Sequence, residues 1–401
     1  MSLQGYFDYN ATTPVCPEAI NAFVNAAQTF GNPSSKYGLA KPANALISEA
    51  REHLSRLIGC ATDEIFFTSG GTESNNWAIK GVFLREFSIA PAERVHIIVS
   101  ALEHSSILEV VGHLERTFHC EVTRLNPDNE GIISADSVRA VLRPNTRIVS
   151  VMLANNEVGS IQPIWDIAQV LRHRKIHFHV DAVQAVGKIK VDVQLLGIDT
   201  LSFSGHKFYG PKGCGGLYIR RGITLEPLIH GGGQERGYRG GTEAVATIVA
   251  MGAAAKLANE QLEENLNRFS TYSALLRKLL VQKIPSIIFN GPKSSSAQVP
   301  NTVSICVPGI RAEALAALLD SLNGIQVSLG SACSNNKTMS LSHVLLSMGL
   351  SEEDVKSTLR VSLGLYTREE DILSFAEAVA NAVGILNRIS RPVSEDYVFA
   401  S

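Results

Sequence analysis

The sequence lacks an excess of charge of either sign, a long apolar run and a targeting segment. Its 401 residues include 36 Lys and Arg against 38 Asp and Glu, which gives a net charge of -2. Proteins that bind nucleic acids normally carry a basic excess, so this balance disfavours such a partner. No stretch reaches the ~18 consecutive apolar residues of a membrane span, and the first residues do not resemble a secretory signal. We therefore expect a cytoplasmic protein without a membrane segment.

The six cysteines are also unpaired in the sequence. None belongs to a Cys-x-x-Cys motif, so neither a zinc site nor a thioredoxin-like site is indicated. In a chain of this length they do not suggest a disulfide framework, and we expect reduced thiols. Hydrophobic residues make up 45% of the chain and charged residues 18%, which excludes wholesale disorder and predicts a globular core.

What the sequence does contain, over its first two-thirds, is an alternation of short apolar runs with longer amphipathic segments. The apolar runs predict strands at 64–68, 95–99, 146–152, 177–180 and 200–203, and the amphipathic segments predict helices at 72–84, 105–116 and 164–173. Strands separated by helices indicate βαβ units, and therefore an α/β fold with a mainly parallel sheet flanked by helices.

The pattern changes near residue 243. The segment from 243 to about 283 is rich in Ala and Leu, contains no proline, and predicts one long helix that links two domains. Beyond it, strands near 286–289, 302–307, 325–328 and 359–363, with helices at 312–321 and 368–388, predict a smaller α+β domain. We expect a large domain of residues 15–260 and a small domain of residues 1–14 and 261–401.

Four features of the sequence could carry chemistry. Each is expected after the carboxyl end of a strand, which is where open α/β sheets bind their ligands. The first is TSGGTE at 68–73, between a predicted strand and a predicted helix. Gly70 and Gly71 permit a tight turn, and the free amides that follow, with the Thr72 hydroxyl, form an anion cup. The alternative is a simple strand-to-helix turn.

The second feature is HVDAVQ at 179–184, in which Asp181 ends an apolar strand. A buried carboxylate is costly without a partner, so Asp181 requires a cation or a donor. The alternative is a helix N-cap.

The third feature is Lys207, which follows a strand and precedes a glycine-rich turn. A lysine among apolar neighbours has a depressed pKa and becomes a nucleophilic amine, whereas most lysines are solvated charges. Ser204 and His206 flank it and can hold a phosphate.

The fourth feature is Cys333, which lies among small and polar residues in VSLGSACSNN at 327–336. An exposed cysteine in such a segment can act as a thiolate nucleophile. Cys306 lies in an apolar run and is typical of a core residue. Cys60, Cys120 and Cys214 have no distinctive surroundings, and Cys16, which is followed by proline, is expected in a turn.

Two further residues are weaker candidates. His104 follows a strand at the start of a predicted helix, where an imidazole either faces a ligand or caps the helix. Arg360 lies in an apolar strand, and a buried Arg requires an anionic partner from the protein or a substrate. The pair His177 and His179 has no third ligand at a suitable spacing, so we expect no metal site.

Together these features fit one cofactor. Pyridoxal 5'-phosphate requires an anion cup for its phosphate, an acidic partner for its pyridine nitrogen and a lysine for a Schiff base. A carboxylate such as Asp181 keeps the pyridine nitrogen protonated, which makes the ring a better electron sink.

Further motifs extend over nearly the whole chain: FDYNATTP at 7–14, FGNPS at 30–34, ANNEVG at 154–159, SGHK at 204–207 and GGGQER at 231–236. With them, the sequence resembles the pyridoxal-phosphate-dependent cysteine desulfurases of the NifS/IscS type. These belong to the class V aminotransferase-like group of fold type I.

The resemblance implies a role for each matching position. Lys207 forms the Schiff base, and His104 stacks on the pyridine ring and assists proton transfers. Asp181 and Gln184 contact the pyridine nitrogen and the ring hydroxyl, and Asn155 lies against cofactor and substrate.

The phosphate contacts implied by the resemblance are Gly71, Thr72, Ser204 and His206. Thr242 reaches the phosphate of the other subunit, which implies a homodimer with shared sites. Arg360 binds the substrate carboxylate, and Cys333 accepts the sulfur.

The implied reaction converts L-cysteine to L-alanine. Lys207 removes the Cα proton, and the Cys333 thiolate then attacks the substrate sulfur and becomes a persulfide. A sulfur-acceptor protein, either an iron-sulfur scaffold or a thiolation protein, takes the sulfur onward. Leu329 and the segment after Cys333 depart from the usual pattern. The alternatives are another class V enzyme, such as a selenocysteine lyase or an aminotransferase, and a non-catalytic binding protein.

Overall fold

Two β-sheets organise the residues that the computed structural model describes, which are 4–89, 94–329 and 341–389. The larger sheet consists of β1 (Ile65–Thr68), β2 (His96–Ser100), β3 (Glu121–Leu125), β4 (Thr146–Ser150), β5 (His177–Asp181), β6 (Thr200–Ser204) and β7 (Gly215–Ile219). Their order is β1-β7-β6-β5-β4-β2-β3, and β7 runs antiparallel to both neighbours while β6-β5-β4-β2-β3 are parallel. The prediction of a mainly parallel α/β sheet is confirmed.

Helices cover both faces of this sheet. They are α1 (Pro17–Ala27), α2 (Ala40–Ile58), α3 (Gly71–Ile89), α4 (Ser105–Phe118), α5 (Ala135–Ala140), α6 (Ile164–Leu171), α7 (Val193–Leu196) and α8 (Val245–Glu260). Every residue of β1, β2, β5, β6 and β7 is buried. Burial on both faces explains the apolar runs in β1, β2 and β7, whereas β5 and β6 alternate apolar with buried polar residues. The edge strand β3 is half-exposed and correspondingly more polar.

The smaller sheet is antiparallel. Its strands, in the order β10-β11-β9-β8, are β8 (Ile288–Asn290), β9 (Thr302–Cys306), β10 (Ser328–Leu329) and β11 (Thr358–Ser362). The later helices are α9 (Leu262–Lys283), α10 (Ala312–Asn323), α11 (His343–Ser347), α12 (Glu352–Lys356) and α13 (Glu369–Ile389). Phe7, Phe269, Val361 and Phe375 belong to a hydrophobic core of this sheet, separate from the core of the larger one. The predicted domain boundaries stay a prediction.

The prediction of one long helix from 243 to 283 is wrong, because the helix is broken at Gln261. That residue has φ -103° and ψ 5°, and the chain continues as a separate helix. α8 packs against α2, where Gly252 approaches Ala50 so closely that an added Cβ would lie 2.6 Å from its backbone. Leu276 in α9 instead belongs to the core of the smaller sheet. The two helices therefore follow different cores, which no Gly or Pro signals in the sequence.

Helix α13 is long and apolar enough to cross a membrane by length and composition alone. Its apolar residues, including Phe375 and Val379, are buried in the core of the smaller sheet. They therefore have a packing role that accounts for their hydrophobicity.

The N-terminal segment joins the two sheets. The Phe7 amide donates to the Gln326 carbonyl (2.9 Å), and the Ser362 amide donates to the Phe7 carbonyl (2.8 Å), so the segment follows the smaller sheet. A few residues later the Thr13 amide donates to the His206 carbonyl at the end of β6 (3.0 Å). Residues 8–12 are thereby held across the carboxyl ends of the larger sheet.

Candidate active site

A cavity of about 350 Å³ lies at the carboxyl ends of the central strands, beneath the N-terminal segment. Nine of the twelve residues predicted from the sequence line it: Gly71, Thr72, His104, Asp181, Gln184, Ser204, His206, Lys207 and Arg360. Eight of them lie at or after strand ends of the larger sheet, and Arg360 lies within β11 of the smaller sheet, so the fold itself assembles the site.

The other three predicted residues lie elsewhere. Asn155 is 1% exposed and is not part of the cavity wall, to which its neighbour Asn156 contributes instead. Its side-chain oxygen accepts the amides of Glu157 (2.8 Å) and Val158 (3.0 Å). Thr242 is exposed on the surface, away from the cavity of its own chain. Cys333 lies outside the described residues.

Lys207 supplies an amine of lowered basicity. Its Nζ donates to the carbonyls of Asn10 (2.6 Å) and Ala11 (2.8 Å) in the N-terminal segment. Burial, reinforced by the charge of Arg360, lowers the pKa of Lys207 to about 8. A substantial fraction of this amine is therefore neutral just above neutral pH, as a nucleophile requires.

Asp181 is buried at the end of β5, and both of its oxygens have donors. Oδ1 accepts the Val183 amide (2.9 Å), and Oδ2 accepts the side-chain amide of Asn75 (2.7 Å). Asn75 lies on α3, and its own oxygen contacts Nε2 of His179 at 3.1 Å. These contacts hold a carboxylate facing the cavity in one orientation.

The two histidines of β5 belong to this support. Both contact the Thr200 hydroxyl, His177 through Nε2 (2.8 Å) and His179 through Nδ1 (2.9 Å). Burial lowers the pKa of each to about 3, so both rings are neutral. With Nδ1 occupied by the Thr200 hydroxyl, Nε2 of His179 donates to Asn75. Nowhere in the described ranges do three His, Cys, Asp or Glu side chains group to hold a metal ion.

His104 is both the N-cap of α4 and a residue of the cavity wall. Its Nδ1 accepts the amide of Ser106 (3.1 Å), which leaves Nε2 as the proton-carrying nitrogen of the neutral ring. Burial lowers the pKa of His104, while the Asp181 carboxylate acts in the opposite direction. The two alternatives considered for this histidine are therefore compatible.

The anion cup lies at the first turn of α3. An added Cβ on Gly71 would lie 2.7 Å from a Val183 methyl, so the close approach of the chain requires glycine. The hydroxyls of Thr72 and Ser204 face the cavity without a hydrogen-bond partner in the described part of the chain. Two free hydroxyls beside a helix N-terminus fit the phosphate of pyridoxal phosphate.

The charge around this cup also suits an anion. Glu73 in the first turn of α3 is paired with Arg239 (2.9 Å), so its own negative charge is compensated. Burial lowers the pKa of His206 to about 4, and the Lys207 charge acts in the same direction, so the ring is neutral. His206 contacts the Thr12 hydroxyl through Nδ1 (3.1 Å), which leaves its second nitrogen for a ligand.

Arg360 reaches the cavity from β11 of the smaller sheet. Its Nη2 pairs with Asp8 (2.6 Å), and its Nη1 donates to the Asn156 carbonyl (3.1 Å). Its Nε is buried without a partner in the region that the structure describes. The guanidinium is thus fixed at the cavity wall, where it can receive a carboxylate.

Sequence reasoning missed several residues that hold this site together. Asn10 and Asn75 are buried amides that line the cavity, and Lys188 is a buried amine behind its wall. Glu103, which precedes His104, is 0% exposed, and burial together with Asp181 raises its pKa well above the ordinary value. Among these residues, only Lys188 could have been linked to the site from the sequence. It follows Gln184 by four residues, a spacing that brings two side chains together on a helical turn.

The sheet topology and the side chains that line the cavity at the strand ends define the class of protein as an α/β enzyme of the pyridoxal-phosphate type. The chain belongs to the class-V aminotransferase family, whose model matches residues 5–375. It is 42% identical over 399 residues to cysteine desulfurase IscS of Clostridium botulinum (strain Hall), covering 99% of this chain and 98% of that protein. It is also 42% identical to cysteine desulfurase IscS of Methanosarcina thermophila, over 98% of this chain and 95% of the relative.

Solved structures agree with these relatives. A NifS-like protein superimposes with a TM-score of 0.87 at 35% identity, covering 96% of this chain and 100% of the other. The predicted resemblance to the NifS/IscS-type cysteine desulfurases and the predicted fold type are both confirmed. Within the class-V family, the chain therefore groups with the cysteine desulfurases.

Proposed function

We propose that the chain binds pyridoxal phosphate and converts L-cysteine to L-alanine, passing the sulfur to Cys333 as a persulfide. The observation that carries this proposal is one cavity that combines the Lys207 amine, the Asp181 carboxylate and the anion cup. Relatives named cysteine desulfurase, which match over nearly the full length, support the choice of substrate.

Each part of the cofactor has a candidate partner. The anion cup, with Ser204 and His206, would hold the phosphate, and Asp181 would pair with the pyridine nitrogen. Gln184 would face the ring hydroxyl, and Lys207 would form the covalent link. When bound, the protonated ring supplies an electron sink for the bonding pair of a proton removed next to it.

The protein's own groups do the rest. Arg360 receives the carboxylate of cysteine, so that the amino acid lies between the two sheets. Lys207, once free, is positioned to take the Cα proton, because its lowered pKa leaves the amine able to accept it. His104 lines the cavity, and its second nitrogen can hold or deliver a proton there.

Cys333 is the proposed sulfur acceptor. Its thiolate attacks the substrate sulfur and the carbon–sulfur bond breaks. The bonding pair leaves with the carbon, which takes up a proton, so the products are a persulfide and L-alanine. The five described cysteines are poor candidates, because burial raises the pKa of each thiol. A buried thiol of raised pKa is a poor nucleophile at neutral pH.

Partners follow from the same proposal. A persulfide is a carrier, so a sulfur-acceptor protein, an iron-sulfur scaffold or a thiolation protein, must take it. We further propose a homodimer in which Thr242, exposed on its own chain, reaches the phosphate site of the other subunit. Asn155 is proposed to act from behind the wall, beside cofactor and substrate. A cytoplasmic setting stays a prediction.

Turnover of L-cysteine, with alanine and persulfide measured separately, tests this function. Wild-type protein should form both, and Cys333→Ala should lose the protein-bound persulfide and sulfide release. Cys60→Ala is the matched control and should behave as wild type. Alanine formation with undiminished persulfide in Cys333→Ala would contradict the assigned acceptor. If the purified protein takes up no pyridoxal phosphate, the proposal that it is a pyridoxal-phosphate-dependent enzyme is wrong.

A further inference from the structure

A second lysine, Lys188, is buried behind the cavity wall. It is 7% exposed, and its Nζ donates to the side-chain oxygens of Gln184 (2.6 Å) and Asn10 (2.8 Å). Within the described residues it forms no ion pair with a carboxylate. A buried ammonium or amine paired only with neutral amides is unusual, because charged groups are rarely buried without a counter-charge.

The chemistry of lysine decides how these two amides are turned. A lysine amine at these contacts is a donor, so both amides must present their oxygens to it. The nitrogen of Gln184 then donates to the Asn10 carbonyl (2.9 Å). The nitrogen of Asn10 donates to the Thr302 hydroxyl (2.8 Å) and to the Asn156 carbonyl (3.1 Å). The side chain of Asn301 also donates to the Asn10 side-chain oxygen (3.2 Å). Lys188 thus acts together with these contacts to exclude the flipped orientation of either amide, and it occupies the side-chain oxygen of Gln184.

The same contacts lead directly to the proposed catalytic amine. The Asn10 carbonyl accepts both the nitrogen of Gln184 and the amine of Lys207. A displacement of Asn10 would therefore move one of the two acceptors that hold Lys207. Gln184 lines the cavity, and with its oxygen and one N–H occupied it can offer only its second N–H to a ligand.

We propose that Lys188 is a positioning residue that makes Gln184 a donor-only amide toward the cofactor and fixes the Asn10 carbonyl that holds Lys207. The first part rests on the proposed function, because it concerns the ring oxygen of pyridoxal phosphate. A donor-only Gln184 favours that oxygen in its ionised form. The second part concerns this chain alone and holds with or without the cofactor.

The part that does not depend on the cofactor is tested on the apoprotein. Acetic anhydride labels amines, and mass spectrometry quantifies Lys207 in a short pulse well above its pKa, where charge differences between variants vanish. In Lys188→Met, Lys207 should be acetylated about fivefold faster than in wild type. This ratio corresponds to the loss of one net hydrogen bond. Lys190→Met, two residues away and exposed, is the matched control and should label as wild type. Equal labelling in Lys188→Met and wild type would overturn this part.

The cofactor-loaded protein tests the other part through its absorption spectrum at one pH. Lys188→Met should lose visible absorption to the near-ultraviolet band of the un-ionised ring hydroxyl, and Lys190→Met should not. The effect should vanish in a Gln184→Ala background, since the two residues are proposed to act in series. A spectral change that persists undiminished in that background would assign Lys188 a general packing role and overturn the proposal.

A further variant covers the case in which Lys188→Met does not fold. Gln184→Glu keeps an acceptor for Lys188 but cannot donate to the Asn10 carbonyl or to a ring oxygen. This variant should fold, show the same spectral change as Lys188→Met, and have Lys207 acetylated faster than in wild type. A spectrum and an acetylation rate equal to those of wild type would overturn the proposal. If no variant takes up pyridoxal phosphate, the proposed function fails, while the labelling result still decides the role of Lys188.

Discussion

The two sides of the cavity are built differently. On the side of the larger sheet, Asp181, Ser204 and Lys207 stand at the ends of parallel strands, within a few residues of strand termini. On the other side, Arg360 projects from a central strand of the antiparallel sheet and depends on Asp8, 352 residues away in sequence. The first side is a set of local strand-end motifs, whereas the second exists only after the chain ends have been brought together.

Under the proposed function, this difference would separate cofactor binding from substrate binding. Changes on the side of the larger sheet should affect the cofactor and the chemical step, because the candidate groups for both lie there. Changes on the side of the smaller sheet should affect the affinity for the amino acid, because its cation is the candidate for the carboxylate. The variants below are ordered by the size of the expected effect.

Removal of the amine should have the largest effect. Lys207→Ala should reduce alanine formation by about a thousandfold or more, because the variant loses both the covalent link and the proton acceptor. Steady-state alanine release is the measurement. Lys212→Ala, an exposed lysine nearby, should retain wild-type activity. A Lys207→Ala protein within tenfold of wild type would place the chemistry elsewhere.

On the other side of the cavity, Arg360→Met should raise the KM for L-cysteine. Loss of one partner of a buried charge pair costs about 2 kcal/mol or more, which corresponds to roughly 30-fold. The affinity for pyridoxal phosphate should change far less than the KM for L-cysteine, because the candidate cofactor groups lie on the other side of the cavity. Arg311→Met, at the exposed start of α10, serves as the control. An equal loss of both affinities would show that the two sides do not act separately.

A smaller effect is expected from the support of Asp181. Asn75→Ala removes a hydrogen bond of 2.7 Å to the carboxylate and should weaken pyridoxal phosphate binding by about tenfold. Equilibrium titration of the apoprotein measures this affinity. Asn76→Ala, whose side chain donates to the carbonyls of Thr72 (3.0 Å) and Ser106 (3.4 Å) and not to Asp181, should bind as wild type. Identical affinities for the two variants would remove Asn75 from the account.

The smallest effect is a shift in pH dependence. Uptake of pyridoxal phosphate by the apoprotein should rise with pH and level off above about 8, because only the neutral Lys207 amine reacts. Arg360 lowers the pKa of that amine, so its loss in Arg360→Met should move the midpoint to higher pH. Stopped-flow absorbance gives the rates. A midpoint near the ordinary lysine value in wild type would contradict the assigned environment.

The contrast between the two sides also describes what the sequence could predict. Gly71, Asp181 and Lys207 follow strands that are recognisable as apolar runs, so both the residues and their common edge were predictable. Asn155 was assigned to the site, yet it is Asn156 that lines the cavity, since the motif does not determine which way the turn presents its side chains.

Long-range contacts account for the rest. Asn10 and Lys188 are 178 residues apart and meet only when the N-terminal segment crosses the strand ends. The break at Gln261 has no local signal, because it arises from helices that pack on two different cores. Such features depend on packing, and no single segment carries them.

The two buried lysines provide the most direct test of the central claim. Both have lowered pKa values, but the structure gives Lys207 an open path to the cavity and leaves Lys188 behind its wall. Borohydride reduction of the protein loaded with pyridoxal phosphate, followed by peptide mass spectrometry, identifies the linked residue. We predict a stable pyridoxyl group on Lys207 and none on Lys188. A pyridoxyl group on Lys188, or unmodified Lys207 in protein that retains the cofactor, would contradict the account.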